Sequence, residues 1–345
     1  MNVQRSKLAL AAAMMASASL AQAEGFQLSE KLEISGFIDM SSTYAESEID
    51  KPVKSSASET SSGLDQFEIN FLYSFDDKLT ATVDLEYQDD GSTDSNGDAL
   101  GEVTDIEQAY FTYKLSDEFS IKGGRFLSYA GWETEDPTGL FQYSGAGYAG
   151  YFYGGYQQGM SGLYSTDTFD VALSIVNDLG DLEGEFRDSN KPAIETMLAF
   201  KPSDALVAKL FYSVDENEAL GEDIVLINFW TSYSAGDLTL AAEYNMSENN
   251  PVYATAADDE ATGYLLMANY AMDKFAVTLR YHAWEIEDGS GNTLEEVSGI
   301  TISPSYAVSD NLLIVTEYRT DDIELGNGAI EGSSDLVAIE ALITF

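Results

Sequence analysis

The feature that most constrains this chain is a two-residue alternation that returns again and again at nearly constant length. Phe67, Ile69, Phe71, Tyr73 and Phe75 interleave with Gln66, Glu68, Asn70, Leu72 and Ser74, and Leu79, Ala81, Val83, Leu85 and Tyr87 interleave with Thr80, Thr82, Asp84, Glu86 and Gln88. Successive side chains of a strand point to opposite faces, so each run has one apolar and one polar face. Only Asp76-Asp77-Lys78 separates the two runs, which makes them a hairpin.

Equivalent tight turns fall at Ser116-Asp117-Glu118, Thr166-Asp167-Thr168, Pro202-Ser203-Asp204, Ala235-Gly236-Asp237, Met272-Asp273-Lys274 and Ser309-Asp310-Asn311. Strands are expected at 32–44, 65–75, 79–88, 105–115, 119–126, 157–164, 169–177, 193–201, 205–214, 224–234, 238–247, 262–271, 275–285, 297–307, 312–320 and 335–345, sixteen in all. The other connections are longer and rich in Asp, Glu, Ser, Gly and Asn: 45–64, 89–104, 127–156, 178–192, 215–223, 248–261, 286–296 and 321–334.

The first 23 residues differ in kind. Arg5 and Lys7 precede an apolar run from Leu8 to Leu20, and Ala21-Gln22-Ala23 supplies a small-x-small cleavage pattern, so 1–23 reads as a secretory signal peptide. The alternative, a membrane anchor, would need an apolar run of about 20 residues. No apolar stretch of helix-spanning length occurs after it either. Strands of about 9–11 residues in even number, with short turns at one end and long loops at the other, fit an outer-membrane barrel. The reason is physical: in hydrocarbon every backbone N–H and C=O must be paired, and a sheet achieves this only by closing on itself. The expected fold is therefore all-β, a single closed antiparallel transmembrane β-barrel of about 16 strands over 24–345. A soluble sandwich is the rival fold, but it would not need the same polarity pattern over the same length in every strand.

The face assignments follow. Leu206, Ala208, Leu210, Tyr212, Leu238, Leu240, Ala242, Tyr244 and Met246 are expected outward, with Lys209, Ser213, Thr239, Glu243 and Asn245 inward. Phe75, Phe119, Phe169, Phe200 and Phe275 gather beside the short turns, and Tyr44, Tyr87, Tyr212, Tyr244, Tyr281 and Tyr318 toward the long loops, as two interfacial girdles would.

Composition narrows the chemistry. Sixty acidic against 16 basic residues give a formal net charge of −44, the wrong sign for binding phosphates, so nucleic acid is not an expected partner. Removing 1–23 takes away two bases and no acid. Zero cysteines exclude disulfides, thiol catalysis and the usual structural zinc sites, and a single histidine leaves little for a metal centre. No cofactor and no metal site is expected: Asp94-Ser95-Asn96-Gly97-Asp98 imitates a calcium loop but has Ala99 where the turn needs Gly. Acidic groups such as Asp258-Asp259-Glu260 read as solvated loop charge.

The last strand, Leu336 to Phe345, ends in Phe with apolar residues at alternate positions, and Phe345 resembles the signal by which barrel-assembly machinery recognises its clients. The segment Gly124-Arg125-Phe126 to Gly131-Trp132-Glu133, continuing through Asp136-Pro137-Thr138-Gly139 and Tyr143-Ser144, resembles the region after the fifth strand in the OmpL-like β-barrel porins. That resemblance implies that the loop 127–156, between strands five and six, folds inward and narrows the barrel. Trp132, Glu133, Glu135 and Asp136 are then candidate constriction residues, faced by Lys114, Lys122, Arg125, Lys209, Arg280 and Arg319 from the wall. A solvated external flap is the alternative for this loop.

Barrels of about 16 to 18 strands leave an aqueous channel where eight-stranded ones fill with side chains. The expected function is passive diffusion of ions and small hydrophilic solutes, with a cation preference, across the outer membrane of a Gram-negative bacterium, both termini periplasmic. Expected partners are outer-membrane lipid and lipopolysaccharide, the barrel-assembly machinery, small hydrophilic solutes and cations, and further copies of the chain in a homotrimer. Two readings from other classes remain: a barrel enzyme, which would have to organise a nucleophile around the lone His282, and a surface receptor or adhesin acting through its loops.

Overall fold

The computed structural model describes residues 25–88, 103–133, 136–179 and 191–345. The expected signal peptide, the calcium-loop imitation at 94–98 and Glu135 lie outside the described residues. A two-residue strand, β1 (Phe26–Gln27), pairs with the beginning of the first barrel strand, at Glu33 and Ile34. The barrel itself runs β2 (Leu32–Lys51), β3 (Ser55–Ser74), β4 (Leu79–Gln88), β5 (Val103–Lys114), β6 (Phe119–Leu127), β7 (Tyr156–Ser165), β8 (Phe169–Val176) and β9 (Ala193–Ser203). It continues through β10 (Leu206–Asn217), β11 (Glu222–Ala235), β12 (Leu238–Glu248), β13 (Glu260–Met272), β14 (Phe275–Glu287), β15 (Thr293–Ser309), β16 (Leu312–Leu325) and β17 (Ile330–Thr344).

Every neighbour pair is antiparallel, and β17 pairs back onto β2 from Thr344↔Phe37 to Glu331↔Lys51, so the sheet has sixteen strands and no free edge. The seam is completed by Phe345, whose N–H donates to the Gly36 carbonyl at 3.0 Å while the Gly36 N–H donates to the Phe345 carbonyl at 2.9 Å. A Cβ on Gly36 would lie 2.9 Å from the Phe345 ring, so the close approach at the seam requires glycine there.

The polarity is that of a sheet dissolved in lipid. Leu210, Tyr212, Leu240, Tyr244, Leu266, Ile300 and Ile339 are exposed on the outside, while Ser213, Thr239, Glu243, Asn245, Thr301 and Ser303 are buried on the inside. A soluble sandwich would bury the first set and expose the second. The ten girdle aromatics other than Tyr87 all stand exposed.

Where the sequence suggested four of the long loops, the structure has strand. β2 and β3 run on through most of 45–64, pairing Glu48 with Ser56 and Tyr44 with Thr60, and only 52–54 connects them. Similarly, 321–334 is largely taken up by β16 and β17, with only 326–329 between. The expected loops 215–223 and 286–296 also shorten, to 218–221 and 288–292. The reason is that these stretches lie where neither face is apolar. A ribbon polar on both faces keeps its backbone ladder but shows no alternation of hydrophobicity.

Candidate functional site

The connection from β6 to β7 does not leave the barrel. Its described residues turn inward through a 3-10 turn (Pro137–Gly139) and a one-turn helix α1 (Ala149–Phe152), and are held at many points by the inner wall. Its aromatic residues supply much of the contact: Tyr148 and Phe152 are fully buried with Ala146 among Ala241, Ala261, Leu265, Met267, Trp284, Ile286 and Val297 of β12–β15. Phe152 occupies the space that Gly263 on β13 leaves open, since a Cβ there would fall 2.5 Å from its ring. Trp132 bridges to the opposite cluster, edge-on to Trp230 at 5.3 Å and stacked with Phe141 at 6.0 Å.

Polar anchors fix the path. Glu195 accepts from the Ser128 hydroxyl, from the Tyr129 N–H at 3.3 Å and from Gln157 at 3.0 Å. Glu243 accepts from the Trp132 N–H at 2.8 Å, the Tyr148 hydroxyl at 2.7 Å, the Tyr153 hydroxyl at 2.5 Å and Asn228 at 2.7 Å. On the far side of the barrel, the Tyr143 hydroxyl donates to Asp65 at 3.2 Å and the Ser144 N–H to Glu317 at 3.1 Å. A segment that receives acceptors from so many strands is fixed in the lumen and is not an external flap.

The bases of the wall take this segment by its carbonyls. Arg280 donates through Nη1 to Glu133 at 2.6 Å and to the Ser144 carbonyl at 2.5 Å, and through Nη2 to Thr301 at 2.9 Å. Arg319 donates to the carbonyls of Gly145 at 2.7 Å and Ala146 at 2.8 Å, and is itself paired with Asp321 at 2.7 Å. Gly147, with φ +96°, lets the chain turn beside Arg319 and Trp284.

The structure therefore brings Trp132, Glu133, Arg280 and Arg319 together. It gives Glu133 a different setting from the one the sequence suggested. The carboxylate does not stand free in the lumen: it is paired to Arg280, accepts also from the Ala146 N–H and Gln142, and is almost wholly covered. Asp136 lies near Glu68 and Glu107 on the inner wall. The remaining bases are dispersed. Lys122 sits over the rings of Phe126, Tyr129 and Tyr110 at 4.2, 4.4 and 5.3 Å, and Lys209 over Trp230 at 4.8 Å, both in cation–π contact. Arg125 donates to the Glu107 carbonyl at 2.9 Å and covers the Tyr156 ring, and Lys114 lies at the short-turn end of β5, away from the inward segment.

Of the acids that carry most of the anchoring, sequence reasoning placed Glu243 inward without giving it that role and did not single out Glu195 or Glu317. Their signal was available in outline: carboxylates at inward positions of strands facing a loop crowded with Tyr and Ser donors. His282 is inward, as its strand position requires, with its side chain fully buried, stacked on Trp284 and lying 3.2 Å from Asp321 and 3.3 Å from Arg319.

Comparisons with known proteins agree with this architecture. Residues 31–345 match the family described as "Putative beta-barrel porin-2, OmpL-like". No match is found among curated protein sequences. Among solved structures, the outer membrane channel DcaP of Acinetobacter baumannii is similar at 16% identity and TM-score 0.65, over 94% of this chain and all of that one. Salmonella typhi OmpF, in complex with daunomycin, is similar at 16% identity and TM-score 0.64, over 91% and 97% of the two chains. An anion-selective porin from Comamonas acidovorans is similar at 15% identity and TM-score 0.61, over 91% and 99%. At such identities the likeness speaks for the fold, and the family match covers nearly the whole chain. The protein is an outer-membrane β-barrel that belongs to the OmpL-like β-barrel porin family.

Proposed function

We propose that this porin is a water-filled channel for passive diffusion of ions and small hydrophilic solutes, that it favours cations, and that it performs no catalysis. The observation that carries the reading is the combination of a closed ring of sixteen strands with a polar inner face and an inward segment fixed across it. Sixteen strands leave a bore that side chains alone do not fill, and the segment narrows that bore without any moving part. The cation preference rests on the balance of inner charge. Asp39, Glu68, Asp84, Glu86, Glu107, Glu317 and Glu340 are buried on the inner face and Arg280, Arg319 and Lys201 are paired with Glu133, Asp321 and Asp170, so these acids outnumber the further inner bases Lys122, Arg125 and Lys209. The negative charge left over attracts cations and repels anions along a low-dielectric wall.

The enzymatic alternative is disfavoured by the setting of His282, whose covered imidazole is engaged by Asp321 and Arg319. The short turns 75–78, 115–118 and 273–274 are assigned to the periplasmic side together with both termini, and homotrimeric assembly is the expected form in the membrane. Assembly through Phe345 fits its place at the seam between β17 and β2. Liposome swelling with neutral sugars of increasing size tests the channel reading. Swelling that falls off smoothly with sugar size is expected, and no swelling with the smallest sugar would refute it.

A further inference from the structure

We infer that Glu68 on β3, Glu107 on β5 and Asp136 at the start of the 3-10 turn form a calcium site that fastens the inward segment to the barrel wall. One carboxylate oxygen from each lies within 4.8 Å of the other two. Calcium takes oxygen ligands at about 2.3–2.6 Å, so three ligands spread evenly around one ion stand about 4.0–4.5 Å apart, a spacing that carboxylates already this close reach with small side-chain adjustments.

Independent of the clustering, two atoms point to a missing partner. Glu68 is 2% exposed and its Oε2 has no hydrogen-bond partner; Asp84 beside it is 3% exposed and its Oδ1 has none either. The other atoms around them are only partly served: Gln108 donates to Asp84 at 2.7 Å, Tyr156 donates to Glu107 at 2.8 Å, and Gln66 donates to Glu86. Among the described residues, no ion pair joins Glu68, Asp84, Glu86 or Glu107 to a base. The other inner acids that touch the segment are compensated: Glu133 has Arg280, and Glu243 has four donors. Acids packed together out of water are unfavourable unless protons or a cation join them, and a calcium ion would join three at once.

The donor set selects the ion. All ligands are carboxylate oxygens, with no histidine or cysteine, which suits a hard divalent cation and not zinc or copper. They come from two strands and a loop turn, an irregular arrangement that calcium accepts and that the strict octahedron of magnesium does not. With the ion in place, the limb of the segment entering at Asp136 would be tied to β3 and β5, opposite the Arg280 and Arg319 anchors. The inference concerns binding; a bound calcium would offset the charge of Glu68 and Glu107, and the cation preference then rests on the other inner acids, Asp39, Glu317 and Glu340 among them.

Titration calorimetry of the folded barrel in detergent with Ca2+, after chelation, tests it. One saturable calcium per chain is expected, weakened by about tenfold or more in Glu68→Gln/Glu107→Gln. Glu248→Gln/Glu260→Gln, which removes two neighbouring acids of the rim, should leave it unchanged. Where circular dichroism shows that the strand variant does not fold, Asp136→Asn, on the inward segment, carries the same test. Absence of saturable calcium binding in the native chain, equal weakening by both variant pairs, or tighter binding of Mg2+ than of Ca2+ would overturn the assignment.

Discussion

Replacing Arg280 by methionine keeps an unbranched apolar stem while removing every donor, and it isolates what holds the inward segment. The guanidinium is fully buried and donates at 2.6 Å to Glu133 and at 2.5 Å to the Ser144 carbonyl. Removing one member of a buried ion pair costs about 3–5 kcal/mol, because the partner charge is left uncompensated. At about 1.4 kcal/mol per decade, the ratio of docked to released segment falls by roughly two to four orders of magnitude. That loss falls on docking and not on the barrel, since the strand ladders on both sides of β14 are untouched. Arg319, still bonded to Gly145 and Ala146, keeps a partial hold. The expected outcome is a noisier and larger single-channel conductance and faster proteolysis within 128–155, with an unchanged β signal in circular dichroism. Conductance and cleavage indistinguishable from the native chain would show that this anchor does not position the segment.

Gly263→Ala places a methyl against the Phe152 ring; overpacking of this kind costs about 1–3 kcal/mol, and the segment should be cleaved faster by protease while Gly162→Ala, whose nearest contact is an ordinary 3.5 Å, is silent. A cysteine at Asn292 should react with an impermeant reagent on intact cells and one at Asp273 should not; the reverse pattern overturns the orientation. Asp288 accepts from the Asn292 side-chain amide at 2.9 Å and from the backbone N–H groups of Asn292 and Ser290, each at 2.9 Å, which holds its carboxyl below the ordinary range. A depressed folded value means that the stabilisation of the 288–292 turn is present above the unfolded pKa of about 3.9 and lost as pH falls through the folded value. Amide exchange at Asn292 should therefore lose protection in that acid window relative to Asp288→Asn, which should show no such pH step.

How much of this was legible in the sequence depends on where polarity alternates. From β4 to β14 the strand centres follow directly from period-two alternation, because each has lipid on one side and polar interior on the other. The same criterion fails for Ser55–Thr60 and Asp321–Leu325, which pair as strands beyond the apolar band with polar residues on both faces. The inward course of 127–156 was inferred from a resemblance, and Trp132, Glu133, Arg280 and Arg319 do meet there. The partner of each charge was not legible: whether Glu133 faces water or Arg280 depends on the register between a loop and a strand 147 residues apart. For the same reason Lys122 and Lys209, read as constriction bases, lie against aromatic rings.

Planar-bilayer recording of the purified native chain under a salt gradient tests the central claim most directly. The account predicts discrete conductance steps with a reversal potential displaced toward the cation equilibrium value, most strongly at low ionic strength, where screening is weakest. Steps with an anion-directed reversal potential would contradict the assignment of net negative charge to the permeation path, and a folded barrel that inserts without any conductance would contradict the channel itself.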